Sequence, residues 1–182
     1  MKIAIISGST RPGRNSHRLA LALEQYLKNQ ADTSVQLIDL AALDLPPFVE
    51  RLRLLEDPSA ELLAASTDLK NADAVILVSP EYNGSFSSAL KGFVDRMGKD
   101  ELGGKPIGVA TASTGAMGGM RAALALQQLI LAVQAYPQPQ MLLCGQITQQ
   151  IDETGALINP DFLSKIETFA QALLSFAQKM KA

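Results

Sequence analysis

Four short runs of apolar residues constrain the fold more than any other feature of this 182-residue chain. They read IAII (3–6), AVILV (74–78), IGVATA (107–112) and QMLLC (140–144). None of them alternates apolar with polar residues, so as strands they would be buried on both faces. Strands of that kind belong to parallel sheets that helices cover on both sides. A fifth and more mixed run, VQLIDL (35–40), predicts a strand nearer the sheet edge.

Segments with helical spacing of apolar residues separate these runs. One helix follows Ser16, which we predict as its N-cap, and another starts near Pro160. Residues 59–70 and 86–97 supply two further helices. The order βαβαβαβαβα, without an internal repeat or a linker, predicts one domain over residues 1–182.

This alternation predicts a doubly wound α/β sandwich, because crossovers between parallel strands are right-handed and place helices on both faces. For five strands the usual solution is a parallel sheet in the flavodoxin-like order 2-1-3-4-5. Ligands of such sheets bind outside the carboxyl ends of the strands, where the strand order reverses. The loops after the strands at 3–6, 74–78 and 107–112 are therefore predicted to meet at one binding site.

Composition argues against several classes of function. The formal net charge is −2, so no basic field attracts nucleic acid. Cys144 is the only cysteine, which excludes an internal disulfide and a cysteine-based metal site, and we expect no metal. The run at 3–6 is too short for a signal peptide or a membrane span, so we expect a cytoplasmic protein without a membrane segment.

The first loop, SGSTRPGRNSH (7–17), joins the first strand to the first helix. Its glycines, its hydroxyls and the N–H groups of the helix start are typical of an anion site, where the helix dipole adds positive potential. Arg11 and Arg14 would add charge-assisted hydrogen bonds to a phosphate. The alternative interpretation is a surface turn with solvated arginines.

Two nucleotide motifs fit the first loop poorly. Gly8 and Gly13 have the spacing of a P-loop, but Arg14 and Asn15 stand where its lysine and Mg²⁺-binding hydroxyl belong. Thr10 stands where the dinucleotide fingerprint needs its second glycine. We therefore predict a site for a single phosphate group.

Two further loops carry unusual residues. The second loop, SPEYNGS (79–85), places a proline, a carboxylate, an aromatic ring and an amide directly after a strand. The third loop, TASTGAMGGMR (111–121), has three glycines, which let a backbone approach a flat ligand closely. Both loops are predicted to lie beside the first loop, at the same edge of the sheet.

The segments GSTRPGR, SPEYNGSFSSALKGFVDR and STGAMGGMRA resemble the NAD(P)H-dependent FMN reductase family. This flavodoxin-like family includes quinone, azo-dye and chromate reductases. The resemblance implies FMN as cofactor and NADPH or NADH as cosubstrate. It also implies three groups of FMN contacts: Ser9, Thr10, Arg11, Arg14, Asn15, Ser16 and His17 around the phosphate; Pro80, Glu81, Tyr82 and Asn83 along the ring; and Ser113, Thr114 and Gly115 at its pyrimidine end.

The chain departs from the family pattern at three positions. Arg14 replaces a serine and Ser16 replaces an asparagine in the phosphate loop, and Ser87 stands where many members have proline. Ser87 directly follows the second loop, in the region next to the expected substrate face. The resemblance therefore does not imply a particular substrate.

The resemblance implies an enzyme that passes hydride from NAD(P)H through bound FMN to a flavin, a quinone or a similar small acceptor. Hydride transfer from NAD(P)H to the flavin requires no general acid or base, so we predict no catalytic residue. Glu81 is expected to bind backbone N–H groups, and Tyr82 to form an aromatic shelf beside the ring. The alternative is a flavodoxin-type electron carrier without its own NAD(P)H turnover, which the weak net charge disfavours.

The segment MRAALALQQLILAVQAY (120–136) is apolar almost all round. A surface helix of a monomer should keep a polar face. We therefore predict that this helix is buried in a homodimer or a homotetramer.

Overall fold

The computed structural model describes residues 1–181, in which strands and helices alternate. The strands are β1 (Lys2–Ser7), β2 (Ser34–Asp39), β3 (Ala74–Pro80), β4 (Pro106–Ala112), β5 (Tyr136–Pro137) and β6 (Leu142–Cys144). The α-helices are α1 (Ser16–Lys28), α2 (Leu40–Leu43), α3 (Ala60–Asn71), α4 (Ser88–Met97), α5 (Lys99–Leu102), α6 (Met120–Ala132), α7 (Ile147–Gln150) and α8 (Leu163–Lys181); 3₁₀ turns cover Leu52–Leu54 and Pro160–Phe162.

The strands form one parallel sheet, and the order β2-β1-β3-β4-β5 confirms the predicted flavodoxin-like topology. The strands β1, β3 and β4 are buried along nearly their whole length, as runs without alternation predict. Helices α1 and α8 pack on one face of the sheet, and α3, α4 and α6 pack on the other. Each face has its own apolar core.

The fifth position of the sheet differs from the prediction of a single strand at 140–144. Two short strands, β5 and β6, both pair with β4. Ile107 pairs with Pro137 and Ala110 with Leu142, so three steps along β4 match five steps along its partner. Pro137 and Pro139 have no N–H to donate to a ladder, which explains why the pairing breaks between the two strands.

The start of α1 also differs from the prediction. Ser16 is not the N-cap but the first helical residue, and Asn15 occupies the cap position without a side-chain hydrogen bond. By contrast, α3 and α4 start after serine caps, Ser59 and Ser87, whose hydroxyls accept N–H groups of the first turn. A helix start without a capping side chain leaves its N–H groups available to other acceptors.

The helices described above include no candidate membrane span. Within residues 1–181, none combines the length and the apolar character needed to span a bilayer.

Candidate functional site

The carboxyl ends of β1, β3 and β4 surround a cleft of about 490 Å³ between the three loops. A larger cleft of about 600 Å³ lies around the end of α4. The cleft between the loops is therefore distinguished by the residues that line it and not by its volume. Ten of the predicted site residues line the cleft between the loops: Arg11, Arg14, Asn15, Ser16, Pro80, Glu81, Tyr82, Ser113, Thr114 and Gly115. The sheet topology therefore brings together residues that lie far apart in the sequence.

The first loop leaves hydrogen-bond donors unpaired at this cleft. The backbone N–H groups of Gly13, Arg14, Asn15 and Ser16 find no acceptor among residues 1–181. The hydroxyl of Ser16 is buried and has no partner either. Leaving a buried polar group unpaired costs free energy. That cost applies to the buried Ser16 hydroxyl, and the more exposed N–H groups beside it are further donors that would suit a ligand with several acceptor oxygens.

Arg14 is held by the protein itself. Its guanidinium forms a two-pronged ion pair with Asp39 at the end of β2, with Nη2 2.6 Å from Oδ2, and Nη1 also donates to the Ser9 carbonyl at 3.0 Å. Burial acts to raise the pKa of the Asp39 carboxyl, but hydrogen bonds from Arg14 and from the Ala41 N–H outweigh it and hold that pKa below its usual range. Arg14 therefore braces the first loop against β2.

Arg11 is free of such a partner. No carboxylate among residues 1–181 pairs with it, and its Cζ lies 5.1 Å from the centroid of the Tyr82 ring. The hydroxyl of Tyr82 is 2.9 Å from that of Ser9, which joins the first loop to the second. The uncompensated cation at this cleft is thus Arg11, the residue that a phosphate would attract.

The second loop closes on itself in a tight turn. Tyr82 and Ser85 exchange backbone hydrogen bonds of 2.8 and 3.0 Å, and both central residues, Asn83 and Gly84, have positive φ. Asn-Gly is the typical sequence for this type I′ geometry. Asn83 is exposed at the tip of the turn and does not line the cleft. In this structure its contribution is to the turn.

Glu81 binds the start of α6. Its carboxylate accepts the backbone N–H of Arg121 at 3.1 Å and the Nε–H of the same residue at 2.8 Å. The first of these contacts is the backbone interaction predicted from the sequence. The pair fixes the second loop against the third and neutralises the carboxylate at the cleft wall.

A link between the first loop and the start of α4 was not predicted. Ser87 caps α4 and also donates its hydroxyl to the Gly8 carbonyl. The Gly8 N–H in turn donates to the Val78 carbonyl at 2.8 Å, and a Cβ at Gly8 would lie 2.7 Å from that oxygen. A serine before a helix signals a cap, but only the structure shows the second bond.

The third loop is held by its own polar groups. Ser113 Oγ accepts the Gly115 N–H at 2.9 Å, and Thr111 donates to the Gly118 carbonyl at 2.8 Å. Gly118 and Gly119 both have positive φ, at 62° and 84°. A Cβ at Gly119 would lie 3.0 Å from Thr111, so the close backbone approach requires glycine there.

Four predicted residues do not line the cleft. Ser9 is fully buried behind it, Thr10 lines a second cleft on the other side of the first loop, and Asn83 lies at the tip of its turn. His17 bonds Ser7 Oγ through Nδ1 at 2.9 Å. Burial and Arg14 hold the pKa of His17 below its usual range despite Asp39 and Glu24, so its imidazole is neutral at pH 7.

The residues that surround the cleft fit FMN. Unpaired N–H groups, a partnerless hydroxyl and an uncompensated arginine suit a phosphate dianion. The second loop, which carries Tyr82, and the glycine-rich third loop both have a fixed shape that suits a flat ring. No three His, Cys, Asp or Glu side chains within residues 1–181 are grouped to hold a metal ion.

Fold and site together define a flavodoxin-like protein whose first loop leaves several hydrogen-bond donors without partners among residues 1–181. Comparison with known proteins is more specific: the model of the NADPH-dependent FMN reductase family matches residues 1–149. The chain belongs to this family, and it is an oxidoreductase that uses FMN and NAD(P)H.

Curated relatives agree with this assignment, and a solved structure agrees with the fold. A quinone reductase of Escherichia coli K12 is 27% identical over all of this chain and 97% of its own. An FMN-dependent NADPH-azoreductase of Staphylococcus saprophyticus is 30% identical over 98% of this chain and 96% of its own. The flavoenzyme NAD(P)H:(acceptor) oxidoreductase FerB of Paracoccus denitrificans has a TM-score of 0.80 at 22% identity, with 98% of both chains covered, and shows the same fold.

Proposed function

We propose that the cleft holds FMN with its phosphate on the first loop and its ring along Pro80, Glu81 and Tyr82. The observation that carries this proposal is the hydroxyl of Ser16, which is buried and partnerless beside a row of unpaired N–H groups. A phosphate supplies acceptors for all of these donors at once. Arg11 would add the charge-assisted bond.

When bound, FMN supplies the redox chemistry, accepting hydride from NAD(P)H and passing reducing equivalents to an acceptor. The protein's residues bind and orient. Arg14 and Asp39 hold the first loop in the conformation that exposes its N–H groups. Glu81 and Arg121 keep the second loop against the third. No side chain of the cleft is required to move a proton during hydride transfer.

The acceptor is proposed to be a flavin, a quinone or a similar small molecule. The relatives named quinone reductase and NADPH-azoreductase support this range. Steady NADPH oxidation by the purified protein with a quinone, and without any partner protein, separates an enzyme from a flavodoxin-type carrier. A protein that binds FMN but consumes NADPH only with a second protein would establish the carrier instead.

The FMN site is tested by Ser16→Ala. Removing a partnerless buried hydroxyl should leave the stability of the FMN-free protein unchanged or raise it. The same change should weaken FMN binding about tenfold, because one bond to a charged group contributes about 1.5 kcal/mol. Fluorescence titration of FMN and urea unfolding measure the two effects.

Ser66→Ala is the matched control for this test. Ser66 is also buried, but its hydroxyl donates to Glu101 at 2.9 Å, away from the cleft. The control should therefore lose stability and keep its FMN affinity. Wild-type FMN affinity in Ser16→Ala would remove Ser16 from the site, and failure of the wild type to take up FMN would reject the proposal.

We also propose a homodimer or a homotetramer. The supporting observation is on α6, where Leu124 and Leu131 are 52% and 62% exposed in the single chain. Light scattering should show an assembly at micromolar concentration, and Leu131→Glu should shift it toward monomer. A monomeric wild type would contradict this proposal.

We further propose that residues 1–182 form one FMN-binding domain that works in the cytoplasm. Two apolar cores on the two faces of one sheet support the single domain. The single cysteine supports a reducing compartment. Limited proteolysis that releases a stable fragment would contradict the first point, and cell fractionation tests the second.

A further inference from the structure

Met117 is an apolar residue at the mouth of the cleft between the three loops. Its side chain is 69% exposed and lines that cleft. Pro80 is buried, and Glu81 and Tyr82 are half-buried. Met117 therefore lies nearer the solvent than the residues proposed to contact the flavin ring.

The packing of the third loop keeps the Met117 side chain out of the core. A Cβ at Gly118 would lie 2.9 Å from the Gly145 nitrogen, and a Cβ at Gly145 would overlap the Ala116 carbonyl. The backbone on both sides of Met117 is therefore pressed against the chain that follows β6. The side chain between these two close approaches faces the cleft and the solvent.

Met117 supplies an apolar contact where the cleft is otherwise polar. A single exposed apolar side chain is ordinary on a protein surface. This one borders a ligand site, however, and the large exposed side chains beside it, Arg11 and Arg121, carry charge. A methionine thioether is polarisable and makes favourable contacts with aromatic rings. Met117 is thus suited to pack on a flat, apolar molecule that enters the cleft.

We propose that Met117 is a specificity-determining residue for the electron acceptor. Its side chain packs on the ring of an acceptor in contact with bound FMN and favours acceptors with a larger apolar ring. FMN itself is held by the first loop and by residues 80–82, so Met117 adds little to FMN affinity. This inference rests on the proposed function, which supplies the acceptor class and its place beside the flavin. The residue that selects the acceptor is what the inference adds.

The test is equilibrium dialysis of two quinones against the FMN-loaded protein. Menadione has two fused rings, and 2,6-dimethylbenzoquinone has one. NAD(P)H is left out, so the quinones bind without being reduced. Cys144, the only cysteine, is buried, and burial raises its pKa to about 12, so no thiol is available to add to a quinone.

Met117→Ala should weaken menadione binding about fivefold, the effect of one lost contact between sulfur and an aromatic ring. The one-ring quinone offers less surface to Met117, so its affinity should fall by less. Met117→Gln keeps the length of the side chain but makes it polar, and it should lose menadione affinity as Met117→Ala does. Met117→Leu stays apolar at similar volume and should recover most of the affinity.

Met180→Ala is the matched control. Met180 is 40% exposed but lies on α8 and does not line the cleft. Its substitution should change neither quinone dissociation constant. Fluorescence titration should give wild-type FMN affinity in every Met117 variant, and urea unfolding should give an unchanged midpoint because the side chain is exposed.

The outcomes separate this inference from the proposed function. If the wild type does not bind FMN, the proposed function fails and the inference falls with it. If the FMN-loaded wild type binds neither quinone, the proposed acceptor class fails, and the inference with it. If both ligands bind but Met117→Ala and Met117→Gln leave the quinone affinities unchanged, only the inference is overturned. Weaker FMN binding with unchanged quinone binding would also overturn it, because Met117 would then contact the flavin.

Discussion

The first and second loops lie side by side at one cleft, yet they differ in how their polar groups are satisfied. Among residues 1–181, the N–H groups of residues 13–16 and the hydroxyl of Ser16 in the first loop find no hydrogen-bond partner. The second loop pairs Tyr82 with Ser85 and Glu81 with Arg121. Open donors mark where a charged group of a ligand is expected, whereas satisfied groups provide a fixed shape. A site for a phosphorylated flat molecule needs both.

The packing of the first loop against β3 and α4 is most sensitive at Gly8. In Gly8→Ala the new methyl would lie 2.7 Å from the Val78 oxygen and 3.0 Å from Leu90 Cβ, so backbone must move. We expect a loss of about 3 kcal/mol in the free energy of unfolding, together with weaker FMN binding. Urea unfolding measures the first effect.

Gly13→Ala is the control for this substitution. Gly13 has a φ of 65°, but nothing lies within 4 Å of its ideal Cβ. Its cost should be only the left-handed backbone penalty of about 1 kcal/mol. Equal losses at the two glycines would show that the close approach of Gly8 to β3 and α4 is not what makes its substitution costly.

Ser87→Ala removes the bond between the first loop and the start of α4. The change deletes the cap of α4 and leaves the Gly8 carbonyl without its donor. We expect a loss of about 2 kcal/mol in the free energy of unfolding. Ser59→Ala deletes only the cap of α3 and should cost about half as much. Identical losses in the two variants would contradict a role for Ser87 in joining the first loop to α4.

The two arginines of the first loop should separate stability from binding. Arg14→Gln removes the partner of Asp39 and should cost about 1.5 kcal/mol at neutral pH. Arg11→Gln should leave the stability of the FMN-free protein unchanged and weaken FMN binding about tenfold. If Arg11→Gln lost stability and kept its FMN affinity, the two assignments would be reversed.

The contribution of Arg14 should depend on pH. The folded pKa of Asp39 lies below its usual value. Its stabilisation is therefore fully present above the unfolded pKa of about 3.9 and is lost as the pH falls through the lower folded pKa. The stability difference between wild type and Arg14→Gln should shrink in the same window. A difference that stays constant down to about pH 2 would contradict the ion pair as its cause.

The smallest effect is expected at Asn83. Its φ of 51° is left-handed, so Asn83→Ala should cost about 1 kcal/mol, while Asn83→Gly should cost less. If Asn83 is only a turn residue, Asn83→Gly keeps wild-type FMN affinity. A clear loss of FMN affinity in Asn83→Gly would instead show that the Asn83 side chain binds FMN.

Much of the fold was predictable because it depends on local patterns. The runs at 74–78 and 107–112 show no alternation, and both are buried strands of a parallel sheet. The turn at Asn83-Gly84 follows from residues that tolerate positive φ. The fifth strand was predicted less well. Pro137 and Pro139 have no N–H to donate to β4, and this interruption of the hydrogen-bonded pairing divides the strand into β5 and β6.

By itself the sequence determined which segments are buried, where the loops fall and which loops meet at the sheet edge, because burial, turn chemistry and the handedness of crossovers are properties of short segments. Only the tertiary structure decided that Arg14 pairs with Asp39 while Arg11 stays free, and that Ser87 bonds Gly8. The first pair lies 25 positions apart in the sequence and the last pair 79. Whether such distant side chains meet depends on how the elements that carry them pack together.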